Sequence, residues 1–153
     1  MDNNRKDEWI PLIYHEKIRV QRTRSFAMDV PERGNAAEIL HTLLGIELKV
    51  GKKKRFGCPD LATARYLRVF ARIGCRNIAI PYDITKISVL ADELEVGWQK
   101  LLLIHEESVR GKSPQAKGRA RAGVIRKIRV EIAELGAGET MPEFKQSTKQ
   151  RNN

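Results

Sequence analysis

The apolar residues Ile87, Leu90, Ala91, Leu94, Trp98, Leu101 and Leu102 recur at steps of three and four, the longest amphipathic signal in the chain. That spacing puts them on one face of a helix, and a helix with an apolar face needs a partner element to bury it. Asp83 or Thr85 is placed to cap its start, and residues 111–113 break it. Just before it, residues 46–50 read as a strand that Gly51 closes. Residues 59–74 read as a helix, with Pro59 in the first turn and Gly74 at the end. Residues 77–80 read as a short buried strand. If those strands are adjacent and parallel, the crossover between them is right-handed. The order predicts a single small α/β domain, a three- to four-stranded mixed sheet with four helices.

The remaining segments fill in around this unit. Residues 9–14 and 17–30 are rich in β-branched and aromatic side chains and read as extended chain. After a turn at 31–34, Asn35-Ala36-Ala37-Glu38 has capping-box spacing, and Ile39, Leu40, Leu43 and Leu44 follow at helical steps. A short helix over 35–44, ended by Gly45, is therefore expected. The last helix starts between Pro114 and Val124 and carries Val124, Ile125, Ile128, Ile132 and Leu135. Gly118 and Gly123 weaken its first half by about 1 kcal/mol each relative to Ala. The last two helices pack as a hairpin or extend from the sheet. Residues 1–8 and 136–153 are polar and are expected to be disordered tails around a folded part at 9–135, because neither buries enough apolar area to offset its ordering entropy.

With 153 residues and 41% apolar content, the chain suffices for one core and not two. No run of 18 apolar residues exists, so a transmembrane helix is not expected. The polar N-terminus lacks the apolar core of a secretory signal, and two cysteines make no disulfide framework; a cytoplasmic location is the expectation.

The formal net charge is +10, from 29 Lys and Arg against 19 Asp and Glu. From Ser108 to Val130 there are eight basic residues and no acidic one: Arg110, Lys112, Lys117, Arg119, Arg121, Arg126, Lys127 and Arg129. A helix facing only water usually mixes signs, because opposite charges a turn apart stabilise it. A helix that repels itself gains from an outside anion. Lys49, Lys52, Lys53, Lys54 and Arg55 form a second cluster, and Arg65, Arg68 and Arg72 a stripe within about 60° on the following helix, nearly opposite Tyr66, Leu67 and Phe70. Spaced cations with forked donors suit a row of phosphates. The competing explanation is that these arginines pair with Asp92, Glu93, Glu95, Glu106 or Glu107 within the chain.

Aromatic content is 6%, and there is no RRM signature, no KH-type GxxG loop and no zinc-finger cysteine set. The expected function is non-catalytic binding of nucleic acid, RNA slightly ahead of DNA, in a phosphate-tracking mode. The residues expected to carry it are Lys52, Lys53, Lys54, Arg55, Arg65, Arg68, Arg72, Lys117, Arg119, Arg121, Arg126 and Arg129. A homodimer or protein partner through the helix 87–102, as in an assembly factor, is a further alternative.

Catalytic signals are fewer. Glu47-Leu48-Lys49 is an E-x-K triplet on a strand, with both charged side chains on one face. With an upstream acid such as Asp29 it resembles the core of restriction-endonuclease-like nucleases, which implies a divalent metal at Glu47 and a phosphate- or nucleophile-steadying role for Lys49. In that fold the first acid lies on a strand hairpin-paired with the E-x-K strand; here the predicted helix 35–44 intervenes. The triplet therefore stands as the enzymatic alternative to the binding module. Cys58 precedes a helix start beside four cations, a setting that can lower a thiol pKa, but the phosphatase spacing fails because residue 64 is Ala. Glu38 and His41 have E-x-x-H spacing without a second copy, and His15, His41 and His105 are scattered, so neither a metal nor a cofactor is expected.

Overall fold

The computed structural model describes residues 9–137. It is a small α/β domain of four α-helices and five strands. In chain order these are α1 (Ile10–Ile13), a π-helical turn (Tyr14–Ile18), β1 (Thr23–Ala27), β2 (Ala37–Thr42), β3 (Gly45–Val50), β4 (Lys54–Cys58), α2 (Leu61–Ile73), β5 (Asn77–Pro81), α3 (Ile84–Ser108) and α4 (Pro114–Leu135).

The strands do not form one mixed sheet. They divide into a three-stranded antiparallel meander, β2–β3–β4, and a two-stranded antiparallel pair, β1–β5. β3 and β5 are therefore not parallel neighbours. In the meander Ile39, Leu48 and Phe56 lie in register across the three strands, and Leu48 and Val50 are buried beneath α2. α2 lies between this sheet and α3.

Two expectations about local structure are corrected. Residues 10–18 are helical, not extended: Ile10, Ile13, Tyr14 and Ile18 are all buried, at steps of three, one and four that a helix places on one side. The segment 35–44 is not a helix. Residues 37–42 form β2, and Leu43-Leu44 is the two-residue tip of a hairpin, where both leucines are fully exposed. The Thr42 hydroxyl accepts from Leu44 N–H at 3.1 Å and donates to the Gly45 carbonyl at 3.0 Å, and Gly45 takes a positive φ. Turn chemistry at Thr42 and Gly45 thus outweighs a four-residue helical pattern.

The helices that were expected form, with their caps. Asp60 accepts from Thr63 N–H at 2.7 Å and starts α2. Gly74 ends it at φ 86°, where a Cβ would come 2.3 Å from the Arg33 carbonyl oxygen. Asp83 caps α3 through Thr85 N–H, and Ser113 caps α4. α4 runs unbroken through Gly118 and Gly123.

The core joins both sheets to all the helices. At its centre Phe70 meets Tyr14 edge-on at 5.8 Å and Tyr66 at 5.2 Å. The edge of β5 away from β1 is closed by these tyrosines instead of a strand. Tyr66 donates to the Ala79 carbonyl at 2.6 Å, and Ala79 N–H donates to the Tyr14 oxygen at 2.9 Å. Tyr14 also donates to the Gly136 carbonyl, tying the end of α4 to the core. Burial pushes Tyr14 up to about 12, and Tyr66 well above the ordinary phenol range. The tails expected to be disordered lie outside the described residues, except Gly136 and Ala137. No helix among the described residues is long and apolar enough to cross a membrane.

Candidate nucleic-acid interface

The arginine stripe of α2 faces α3. Arg65 pairs with Asp92, Arg68 with Glu95 at 3.5 Å, and Arg72 with the same Glu95 at 3.0 Å. Burial alone would raise Glu95, but a hydrogen bond from Gln99 and the charges of Arg72 and Arg68 outweigh it and hold the carboxyl below its ordinary value. Arg68 is lowered, chiefly by desolvation and then by Arg72. These arginines serve an internal charge network first. Their side chains are 28%, 22% and 16% exposed, so each retains only an edge toward solvent.

The hairpin cluster divides. Lys54 is bound to Asp29 at 2.7 Å, and Arg55 to Glu47 at 3.1 Å. Lys52 and Lys53 occupy the β3–β4 turn, exposed and without an ion pair among the described residues.

α4 sorts its cations by face. Ile125, Ile128 and Ile132 are buried. Arg119 and Arg126 project about 20° apart on the opposite side, exposed and with no carboxylate partner among the described residues; Lys127 is also exposed, and Lys117 half-buried. Arg129 turns inward and donates to the Ile73 carbonyl at 2.8 Å. Arg121 lies over the buried Trp98 ring, 6.0 Å from its centre, and Arg72 lies 5.6 Å from the same centre. Two arginines from separate sequence clusters thus converge on one indole of α3.

Beside that convergence opens a cleft of about 470 Å³. Arg33, Arg72 and Arg121 line it, with Gly118 and Ala122 of α4 leaving its wall low. The loop forming the opposite wall is fixed by Asn35, whose side-chain amide donates to the carbonyls of Pro31, Arg33 and Ala71 at 3.0, 2.9 and 3.1 Å. Arg33 makes no ion pair among the described residues. A lone arginine in a turn carries no periodic signal, so the sequence pattern does not single it out.

Comparison with known proteins finds no matching family model, no matching curated protein and no matching solved structure.

Glu47 and Lys49 share one face of β3, and the register sets Glu38 directly across from Lys49. Glu47 holds Arg55, while Asp29 holds Lys54 and Arg76. Asp29 is lowered by the hydrogen bond from Lys54 and by its charge. No group of three His, Cys, Asp or Glu among the described residues is arranged to hold a metal ion. Cys58 is raised, by burial and then by Asp60, opposite to what an activated thiol needs. The α3 stripe at 87–102 is core: Ile87, Leu90, Ala91, Leu94 and Trp98 are buried, and Leu101 and Leu102 pack against them. That face is filled by the chain itself and is not open to a partner.

Proposed function

We propose that this protein binds nucleic acid without catalysing a reaction on it. The observation that carries the reading is the outer face of α4, where Arg119, Arg126 and Lys127 stand in solvent with no carboxylate among the described residues to neutralise them. Association with a polyanion relieves their mutual repulsion and releases the counterions condensed on it. The cleft at Arg33, Arg72 and Arg121 supplies forked donors for one further phosphate. The cleft is also large enough for a splayed nucleotide. RNA is placed ahead of DNA for that reason, since its loops and bulges offer unpaired nucleotides. The test is binding to mixed-sequence RNA and duplex DNA against salt. Affinity falls with a log–log slope of about −0.9 per phosphate on duplex DNA, and about −0.7 on single strands. Failure to bind at low salt, or binding indifferent to salt, overturns the reading.

One observation favours a metal-dependent nuclease as second reading. The expected helix between the acid and the E-x-K strand is instead β2, so Glu38 lies on a strand hairpin-paired with Glu47 and Lys49. Two carboxylates and a lysine share that face. Against it, Glu47 is engaged by Arg55.

A further inference from the structure

α3 has a second stripe, opposite its buried one. Val89, Val96 and Leu103 lie seven residues apart and are 57%, 46% and 69% exposed. Val96 sits about 160° around the helix from Trp98, so this line faces away from the core. Beside it runs another line at the same spacing: Lys86, Glu93, Lys100 and Glu107, alternating in sign. Together the two lines repeat at steps of three and four from 86 to 107, the spacing with which one helix packs along another. α1, α2 and β5 pack against α3, and Trp98, Leu101 and Leu102 lie beside Val124 and Ile125 of α4.

We infer that this face docks on a second copy of itself, antiparallel, about a two-fold axis at Val96. The charge order selects both the partner and its direction. Reversing the helix about Val96 brings Val89 opposite Leu103 of the other copy, and sets Lys86 within one residue of Glu107 and Glu93 within one residue of Lys100, an offset of about 1.5 Å along the axis. A parallel arrangement would set each charge against its like. An isologous contact needs only a self-complementary patch, and this sequence of charges is its own complement when read backwards. Glu93 holds Lys17 at 2.7 Å and Lys100 has a contact within its own chain, so the inner pairs join groups already engaged. Glu107 holds Arg110 at 2.7 Å. With charges at four of the seven seam positions, the dimer is weak and forms at high micromolar concentration. It leaves the outer face of α4 open and places two such faces on one particle.

The experiment is sedimentation equilibrium of the full chain from about 10 µM to about 1 mM, the range that brackets a weak specific dimer. The average mass should rise from one chain toward two. Val96→Glu places like charges at the axis and should weaken association at least tenfold, with an unchanged thermal midpoint because the side chain is outside the core. Lys86→Glu should weaken it about fivefold, and Lys86→Glu with Glu107→Lys should restore it. A chain that stays monomeric throughout overturns the inference. So does association that survives Val96→Glu, or a Lys86→Glu loss that the swap fails to rescue. Nucleic-acid binding is not the readout, so this proposal and the one above fail separately.

Discussion

Arg129 reaches across from α4 to donate to the carbonyl oxygen of Ile73 at 2.8 Å, closing the last turn of α2. A residue expected to hold phosphate is thus a helix-end partner, and it separates two kinds of arginine on one helix. Arg129→Met keeps the apolar stem but strands that carbonyl, and should cost about 1–3 kcal/mol in chemical denaturation. Arg119→Gln with Arg126→Gln should change stability by less than about 0.5 kcal/mol.

The same double substitution should weaken nucleic-acid binding at low salt. It should also flatten the salt dependence by about two phosphates' worth of slope, near 1.4 on single strands. An unchanged slope would place the contact elsewhere than on the outer face of α4.

Arg33→Gln should lower affinity and reduce the slope by about one phosphate while leaving stability intact, since Arg33 makes no ion pair among the described residues. Arg121→Gln should show the same binding loss and an added stability loss of up to about 1 kcal/mol, from its place over Trp98. Titration of both variants with one labelled oligonucleotide distinguishes them.

Leu94 is fully buried, and Leu94→Ala should cost about 2–5 kcal/mol in denaturant unfolding. A cost below about 0.5 kcal/mol would mean that the core side of α3 has been misplaced.

Stability should fall at high pH. Tyr14 is raised by burial to about 12, so its neutral form belongs to the folded state. Its contribution is fully present below about pH 10, the unfolded value, and is lost as pH climbs to about 12. Tyr66 is raised too and Cys75 is pushed up to about 12, both mainly by burial, so they act in the same direction. Tyr14→Phe should lower stability near neutral pH, where its hydrogen bonds are lost, and should make the alkaline decline shallower. Denaturant midpoints measured from pH 8 to 12 test both parts.

The long helices were legible because their periods persist over several turns and their ends carry Asp60, Gly74, Asp83 and Ser113. Four apolar residues at 39–44 could not outvote Thr42 and Gly45, since so short a run fits a helix or a hairpin equally well. The helix at 10–18 had its signal in the spacing of Ile10, Ile13, Tyr14 and Ile18, which β-branched composition obscured. Among the cations, sequence supplied the residues but not their company. Whether Arg72 meets Glu95, Trp98 or solvent depends on how α2 lies against α3. The approach of Arg33, Arg72 and Arg121 needs three segments that are distant along the chain to be folded first.

Gly74 gives that assembly a small tolerance. The main chain of Arg33 rests where a methyl group at residue 74 would be, 2.3 Å from its oxygen and 2.6 Å from its nitrogen. The loop carrying Arg33 is thereby held down on the end of α2, and the gauge of the cleft is set by the thickness of a hydrogen atom. Gly74→Ala would lift that loop as well as strain α2 at its positive φ. A folded fraction of such a variant should carry a widened cleft, so a change made far from any ligand would register as slackened grip.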